Sequence, residues 1–380
     1  MLDTPVEGGP EAGVRALFAV QAQDKSAWRL ALRPRVSGIT AADVDEALTE
    51  RRSLLVCWLN RGTLHLVCTE DYSLLWALSA PTQRVAIRTR LAREGFSRDQ
   101  VERGLALIER ALIAEGPLGR GRLRERLREK GIPTEGQATV QLLFAAANRG
   151  IAVLGPVAAG EHLFVHPSEW LGPSERPVAL AGERRDVALA ELARRYLLGH
   201  GPATERDLVK WSGLPLRDAH VGLRGIAAEL VELEGDLLDL ADRRPSAFQL
   251  EARWATRPLP PRLLPGFDPC LLGWRERQPF VRPEHEPKVI PPGGGLFRAV
   301  ATVDGVAAAT WGLRRDRDWV AVRIDPFEPF EPAVEQAIAA EVADVARFEG
   351  RTLVEERPAA ARRADEPNRP AETADRFTSP

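Results

Sequence analysis

Val20-Gln21-Ala22-Gln23, closing the run Arg15-Ala16-Leu17-Phe18-Ala19-Val20-Gln21-Ala22-Gln23-Asp24-Lys25, decides how this chain is read. An apolar segment delivers two neutral carboxamides, one small residue apart, where the pattern turns polar. In an extended or turning backbone residues i and i+2 point to the same side, whereas in a continuous helix they diverge. Local geometry therefore decides whether Gln21 and Gln23 form a site. Each carboxamide offers one acceptor oxygen and two donor hydrogens, so a facing pair can hold a water molecule or frame the edge of a base, but neither is a strong base. The competing reading is that both amides satisfy buried backbone groups or face solvent. Asp24 would point away from the pair in an extended segment and reads as a cap or turn residue.

Around this motif, apolar spacing over residues 12–22 predicts a helix, and Thr40-Ala41-Ala42-Asp43 predicts the start of another running to Leu48. Two β-rich runs from Leu54 to Val67, separated by Asn60-Arg61-Gly62, predict a hairpin, and Thr69-Glu70-Asp71 a cap for a helix through Leu78. Two helices and a β-ribbon make a winged helix. Ala114-Glu115-Gly116-Pro117 is echoed 85 residues later by Gly199-His200-Gly201-Pro202, with Leu123 echoed by Leu208. Each copy is followed by two helical stretches and a β-rich run, which is winged-helix order twice more. Past Asp242 closely spaced prolines break long helices, Ala299 to Ile324 alternates like strands, and a helix is expected from Pro332 to Phe348. The expected class is α+β, with three tandem winged-helix modules followed by a β-rich C-terminal module. Boundaries are placed at 1–82, 83–175, 176–242 and 243–356, with a disordered tail over 357–380.

At 44% hydrophobic and 28% charged residues, the 380-residue chain has the composition of an ordinary globular protein of several modules. It shows neither a bilayer-spanning apolar run nor a signal pattern, so a cytoplasmic protein without a membrane partner is expected. Cys57, Cys68 and Cys270 are too few and scattered for a disulfide framework, and the six histidines form no metal-binding spacing. No metal and no cofactor are expected. A net charge of −2 does not exclude nucleic acid, because phosphate responds to the local field. From Arg84 to Lys130 thirteen basic residues face seven acidic ones, with Arg120, Arg122, Arg124, Arg126, Arg128 and Lys130 in one expected helix. A solvated face laced with ion pairs is the alternative there. Trp28 and Trp58 read as core, Asp268 as a turn former, and Gly293-Gly294-Gly295 as a flexible hairpin tip.

The Gln-Ala-Gln motif, Trp58-Leu59-Asn60-Arg61-Gly62-Thr63-Leu64-His65-Leu66-Val67, Leu264-Pro265-Gly266-Phe267-Asp268-Pro269-Cys270-Leu271-Leu272-Gly273-Trp274 and Val303-Asp304-Gly305-Val306-Ala307-Ala308-Ala309-Thr310-Trp311 together resemble the AlkZ-like winged-helix DNA glycosylases. The resemblance runs over roughly residues 11 to 350. Members of that family usually carry a further helix ahead of the Gln motif, whereas here Met1 to Pro10 precede the apolar run, so weaker support of the first winged helix is expected. The resemblance implies three winged helices, catalytic Gln21 and Gln23, and removal of N7-alkylguanine, including the linked bases of interstrand crosslinks.

The residues themselves support such chemistry. Most enzymes that cut a glycosidic bond place a carboxylate by the sugar, and two carboxamides suffice only where the leaving base is already cationic. The expectation is a monofunctional glycosylase, monomeric, acting on double-stranded DNA with alkylated purines. Lys25, Arg61, His65, Arg120, Arg122 and Arg124 are the expected DNA contacts. The alternative function is a tandem winged-helix regulator that binds DNA without chemistry.

Overall fold

The computed structural model describes residues 2–24, 27–172, 177–243, 258–278, 280–293 and 295–355. Helix α1 (Pro10–Leu17) starts on a proline, whose fixed φ suits a first helical turn, and stops at Phe18, whose φ is 67°. The chain then runs extended as β1 (Val20–Gln21). The helix expected over 12–22 is thus cut short at Leu17. Phe18, Ala19 and Val20 are all buried, and such a continuous apolar run fits a helix or a buried strand equally well. Ahead of α1, Val6 pairs with Val36: its N–H donates to the Arg35 carbonyl at 2.8 Å and its carbonyl accepts from Ser37 N at 2.9 Å. Residues before the Gln motif are thereby tied to the body.

Helix α2 (Ala41–Thr49) begins with the expected cap. Asp43 N donates to Thr40 Oγ1 while Thr40 N donates to the Asp43 carboxylate, so two orphan donors are satisfied reciprocally. Strands β2 (Leu54–Trp58) and β3 (Leu64–Cys68) form the expected hairpin around a turn at Asn60–Gly62. In α3 (Thr69–Arg93) the N-cap position falls to Cys68, and Thr69 instead donates its hydroxyl to the Arg52 carbonyl. This helix runs past Leu78 and across residues 82–83, because Ile87 and Leu91 continue its buried stripe.

The next unit comprises α4 (Arg98–Glu115), α5 (Arg120–Glu129), α6 (Ala138–Asn148), β4 (Val153–Ala158), β5 (Glu161–Val165) and the short α7 (Pro167–Leu171). After it come α8 (Glu183–His200), α9 (Glu205–Ser212), α10 (Leu216–Gly225), β6 (Leu230–Leu233) and β7 (Leu237–Leu240). The sequence repeat has a structural counterpart. Leu118 and Phe164 exchange backbone bonds of 2.9 and 2.8 Å, and Ala203, at the repeat's own offset from Leu118, exchanges bonds of 3.0 and 2.8 Å with Leu238 in the second strand of its own hairpin. Strands of the first two units merge into one sheet in the order β1-β3-β2-β4-β5, joined by Val56 opposite Leu154. That shared sheet, with α3 alongside it, couples the two units.

Beyond residue 257 follow β8 (Arg262–Leu264), the short helices α11 (Pro269–Leu272) and α12 (Glu286–Val289), β9 (Val300–Val303), β10 (Val306–Arg315), β11 (Trp319–Pro326), α13 (Pro332–Glu349) and β12 (Thr352–Leu353). Their sheet runs β12-β11-β10-β9-β8, and α13 buries Ile338, Val345 and Phe348. Gly293 and Gly295 lie between α12 and β9, so no hairpin tip forms there, since no strand precedes them; Gly294 and the expected tail lie outside the described residues. Among the described residues, no helix is long and apolar enough to cross a membrane.

Asp268 does more than turn the chain. It is wholly buried and takes hydrogen bonds of 2.9 and 2.6 Å from the Arg35 guanidinium while accepting from Cys270 N. Burial alone would lower the Arg35 pKa, yet Asp268 and Cys270 raise it overall, so the cation is fixed. Arg33 likewise reaches Glu341 at 2.6 Å, Asp344 at 2.5 Å and the Leu263 carbonyl at 2.9 Å. Residues 33–35 thus anchor the N-terminal unit to the C-terminal one.

Candidate active site

Where β1 leaves the sheet, its last ladder bond runs from Ala22 N to the Leu64 carbonyl at 2.7 Å. Gln21 faces His65 in the register, one place back, at a pair that exchanges no backbone bonds. At such pairs the side chains share one side of the sheet and approach most closely. The N–H of Leu64 donates to the Gln23 side-chain oxygen at 3.1 Å, so a carboxamide takes over the position from which the backbone departs. Gln21 Oε1 accepts from Arg61 Nη2 at 2.9 Å. Both partners can only donate, which assigns each amide: oxygen inward, nitrogen outward. Among the described residues nothing accepts from either amide nitrogen, and both side chains are part-exposed.

Arg61 sits at the hairpin tip with φ 56° and ψ 12°, a left-handed conformation that costs a non-glycine residue energy. It is held there from two directions. Its Nη1 donates to the Lys210 carbonyl at 3.2 Å and, more closely, to that of Trp211, both in the last turn of α9. Helix C-termini carry partial negative charge, so the cation suits this place. Gly213 caps α9 with φ 72°, and a Cβ there would lie 3.0 Å from the Arg61 backbone nitrogen, so only glycine allows the helix end to meet the tip. From the other side Gln83 donates its amide to the Leu59 carbonyl, and Gly62 rests on Phe144. Burial pushes the Arg61 pKa down to about 10, leaving it cationic at neutral pH.

His65 is buried, and its Nδ1 lies 3.0 Å from the Thr63 carbonyl. A carbonyl can only accept, so Nδ1 carries the proton and Nε2 keeps its lone pair. Burial first, and the Arg61 charge second, push the pKa down to about 3 against the opposing pull of Thr63. The ring is a neutral acceptor at physiological pH.

The structure gives the expected DNA contacts varied surroundings. Arg61 spends its guanidinium on internal bonds, and His65 brings no charge to a phosphate. Lys25 lies outside the described residues. On α5, Arg122 pairs with Glu125 at 3.0 Å and Arg124 with Glu135 at 3.5 Å, while the backbone nitrogen of Arg120 donates to Glu161. What the sequence does not reveal is the contribution of Lys210, Trp211 and Gly213. A helix-stop glycine is visible there, but nothing local tells which loop it meets.

Among the described residues Cys68, Glu70 and Asp71 bring three potential metal ligands within 4.8 Å of one another. Asp71 already takes two bonds from Arg195, and Glu70 takes one from Arg15, so arginines supply the positive charge a cation would bring. A cavity of about 920 Å³ lined by Leu17, His200, Trp274 and Phe280 lies elsewhere, and neither Gln21 nor Gln23 lines it.

The family described as "DNA glycosylase AlkZ-like" matches residues 14–348. Among solved structures, the Streptomyces sahachiroi DNA glycosylase AlkZ is similar, with a TM-score of 0.71 at 24% identity over 93% of this chain and 95% of that one. At that identity the likeness speaks for the fold. No curated protein matches the chain.

Proposed function

The chain belongs to the AlkZ-like DNA glycosylase family and is a DNA glycosylase, and from that premise we propose that Gln21 and Gln23 orient the water that hydrolyses the N-glycosidic bond of a cationic N7-alkylated purine in double-stranded DNA. The observation that carries this reading is the anchoring of both amide oxygens by obligate donors, with part-exposed nitrogens that no described residue occupies. Each oxygen keeps a second lone pair for a water O–H, and each nitrogen keeps hydrogens for a sugar or base oxygen.

Such a site has no strong base, which fits a leaving group that departs unaided. Alkylation at N7 makes guanine cationic, so the base takes the C1′–N9 electron pair and leaves neutral. The sugar becomes an oxocarbenium ion, water adds to C1′, and its surplus proton passes to solvent. Neutral His65, beside Gln21 in the register, adds an uncharged acceptor that does not compete with the developing sugar cation. Arg61 holds Gln21 from behind, and its positive charge disfavours placement of the cationic base on its own side. This chemistry needs no Schiff-base lysine, so an abasic site is the expected product.

Part-exposure of both glutamines favours an open cleft over a sealed pocket, which would admit the linked bases of a crosslink. The same reading takes the three helix-and-hairpin units as winged helices on a monomeric protein, divided at the boundaries given by the sequence. Duplex DNA carrying N7-methylguanine, incubated with the protein and then probed for abasic sites, tests the reading. Release by the wild type, with single-turnover rates lowered on the order of 10²-fold by Gln21→Ala or Gln23→Ala, is the expected outcome. Equal rates for the variants and the wild type would remove the glutamines from the chemistry.

A further inference from the structure

Four guanidiniums border a groove of about 630 Å³ between α3, α4 and the end of α6: Arg84 and Arg88 on α3, Arg98 at the start of α4, and Arg149 just past α6. Ile87 and Leu91 form part of its floor. Arg149 bonds Glu102 at 2.9 Å, and Glu102 is the acidic residue of the groove. Among the described residues Arg84, Arg88 and Arg98 have no carboxylate partner. The groove therefore carries a clear positive excess. On α5, by contrast, Arg122, Arg124 and Arg126 each pair with a carboxylate of Glu115, Glu125, Glu129 or Glu135, so three of its five arginines spend their charge within the protein.

From this contrast we infer that the groove between α3 and α4, and not the face of α5, binds the phosphodiester backbone of DNA flanking the lesion. Two observations favour that ligand. Arg84 and Arg88 stand four residues apart on one exposed helix face, about 6 Å along the axis, so both guanidiniums can engage one strand. Arg84 also directly follows Gln83, whose amide holds the hairpin that presents Arg61 to Gln21. A strand bound along α3 is therefore held by the same helix that braces the hairpin, and we take it to run toward the glutamines. Only this last step, the direction of the strand, rests on the proposed site. Phosphate gripping itself needs no chemistry at Gln21 or Gln23.

The test measures binding of an undamaged fluorescent duplex as a function of salt, in parallel with single-turnover base release at saturating protein. Arg84→Ala with Arg88→Ala is expected to lower the salt slope by about 2 and weaken binding at least tenfold at low salt. The maximal rate on N7-methylguanine duplex should stay within about twofold of the wild type, whereas a Gln21 variant should show the opposite pattern. Arg122→Ala with Arg124→Ala should leave the slope unchanged. The single variants, each expected to lower the slope by about 1, give the same reading should the double variant fold poorly. An unchanged slope for the α3 variants, or a loss carried by the α5 pair instead, overturns the assignment.

Discussion

At the scale of single residues the site depends on how Arg61 divides its donors. One arm of the guanidinium holds Gln21 and the other holds the end of α9, a planar fork whose geometry a compact ammonium does not reproduce. Arg61→Lys should therefore slow single-turnover base release by about tenfold or more, lower stability by about 1–2 kcal/mol, and change duplex affinity little. An affinity loss with an unchanged rate would instead make Arg61 a phosphate contact. His65 predicts a pH effect of definite sign. Folding holds its pKa near 3, against about 6.5 unfolded, so between these values the unfolded chain binds a proton that the folded one rejects. Stability is fully present above pH 6.5 and falls as the pH drops through that window, by up to about 1.4 kcal/mol per unit. Thermal midpoints from pH 7 to 4 should show a shallower acid limb for His65→Gln than for the wild type. Identical limbs would mean that His65 is not held neutral.

Among the elements, the decisive contact is the end of α9 against the hairpin tip. Gly213→Ala adds a methyl group within 3.0 Å of the Arg61 backbone and forces an L-residue to φ 72°, costing about 1–2 kcal/mol in conformation before any clash. Gly350 caps α13 in the same left-handed conformation, at φ 64°, with nothing within 4 Å of an added methyl, so Gly350→Ala costs the conformational part alone. Base release should fall in the first variant and persist in the second; equal activities would show that the tip tolerates displacement. The hairpin was legible from Asn60-Arg61-Gly62, as was the α2 cap from Thr40 and Asp43, because turn and cap chemistry is local. Strand β1 was not legible, since one backbone rotation at Phe18 converts an apolar run that reads as helix. Nor was the use of Arg61, whose partners at residues 210 and 211 lie 149 and 150 positions away.

For the molecule as a whole, the buried Arg35–Asp268 pair joins residues 233 positions apart, and the sequence showed each half only as an ordinary arginine and a turn-forming aspartate. The pair holds the segment between the Gln motif and α2 against the unit beyond residue 257, with the Arg33 bonds to Glu341 and Asp344 beside it. Removing one charge strands the other in a dry interior, so Asp268→Leu should lower stability by about 3–5 kcal/mol. Replacing both partners, Arg35→Met with Asp268→Leu, removes the desolvation cost together with the attraction, and should recover most of that loss. Denaturant midpoints for the two variants and the wild type give the comparison. If the pair only stabilises the junction, the double variant regains base release along with stability. If its geometry also sets where Gln21 and Gln23 stand, the double variant folds yet releases base slowly, and the junction then belongs to the machinery that positions the glutamines.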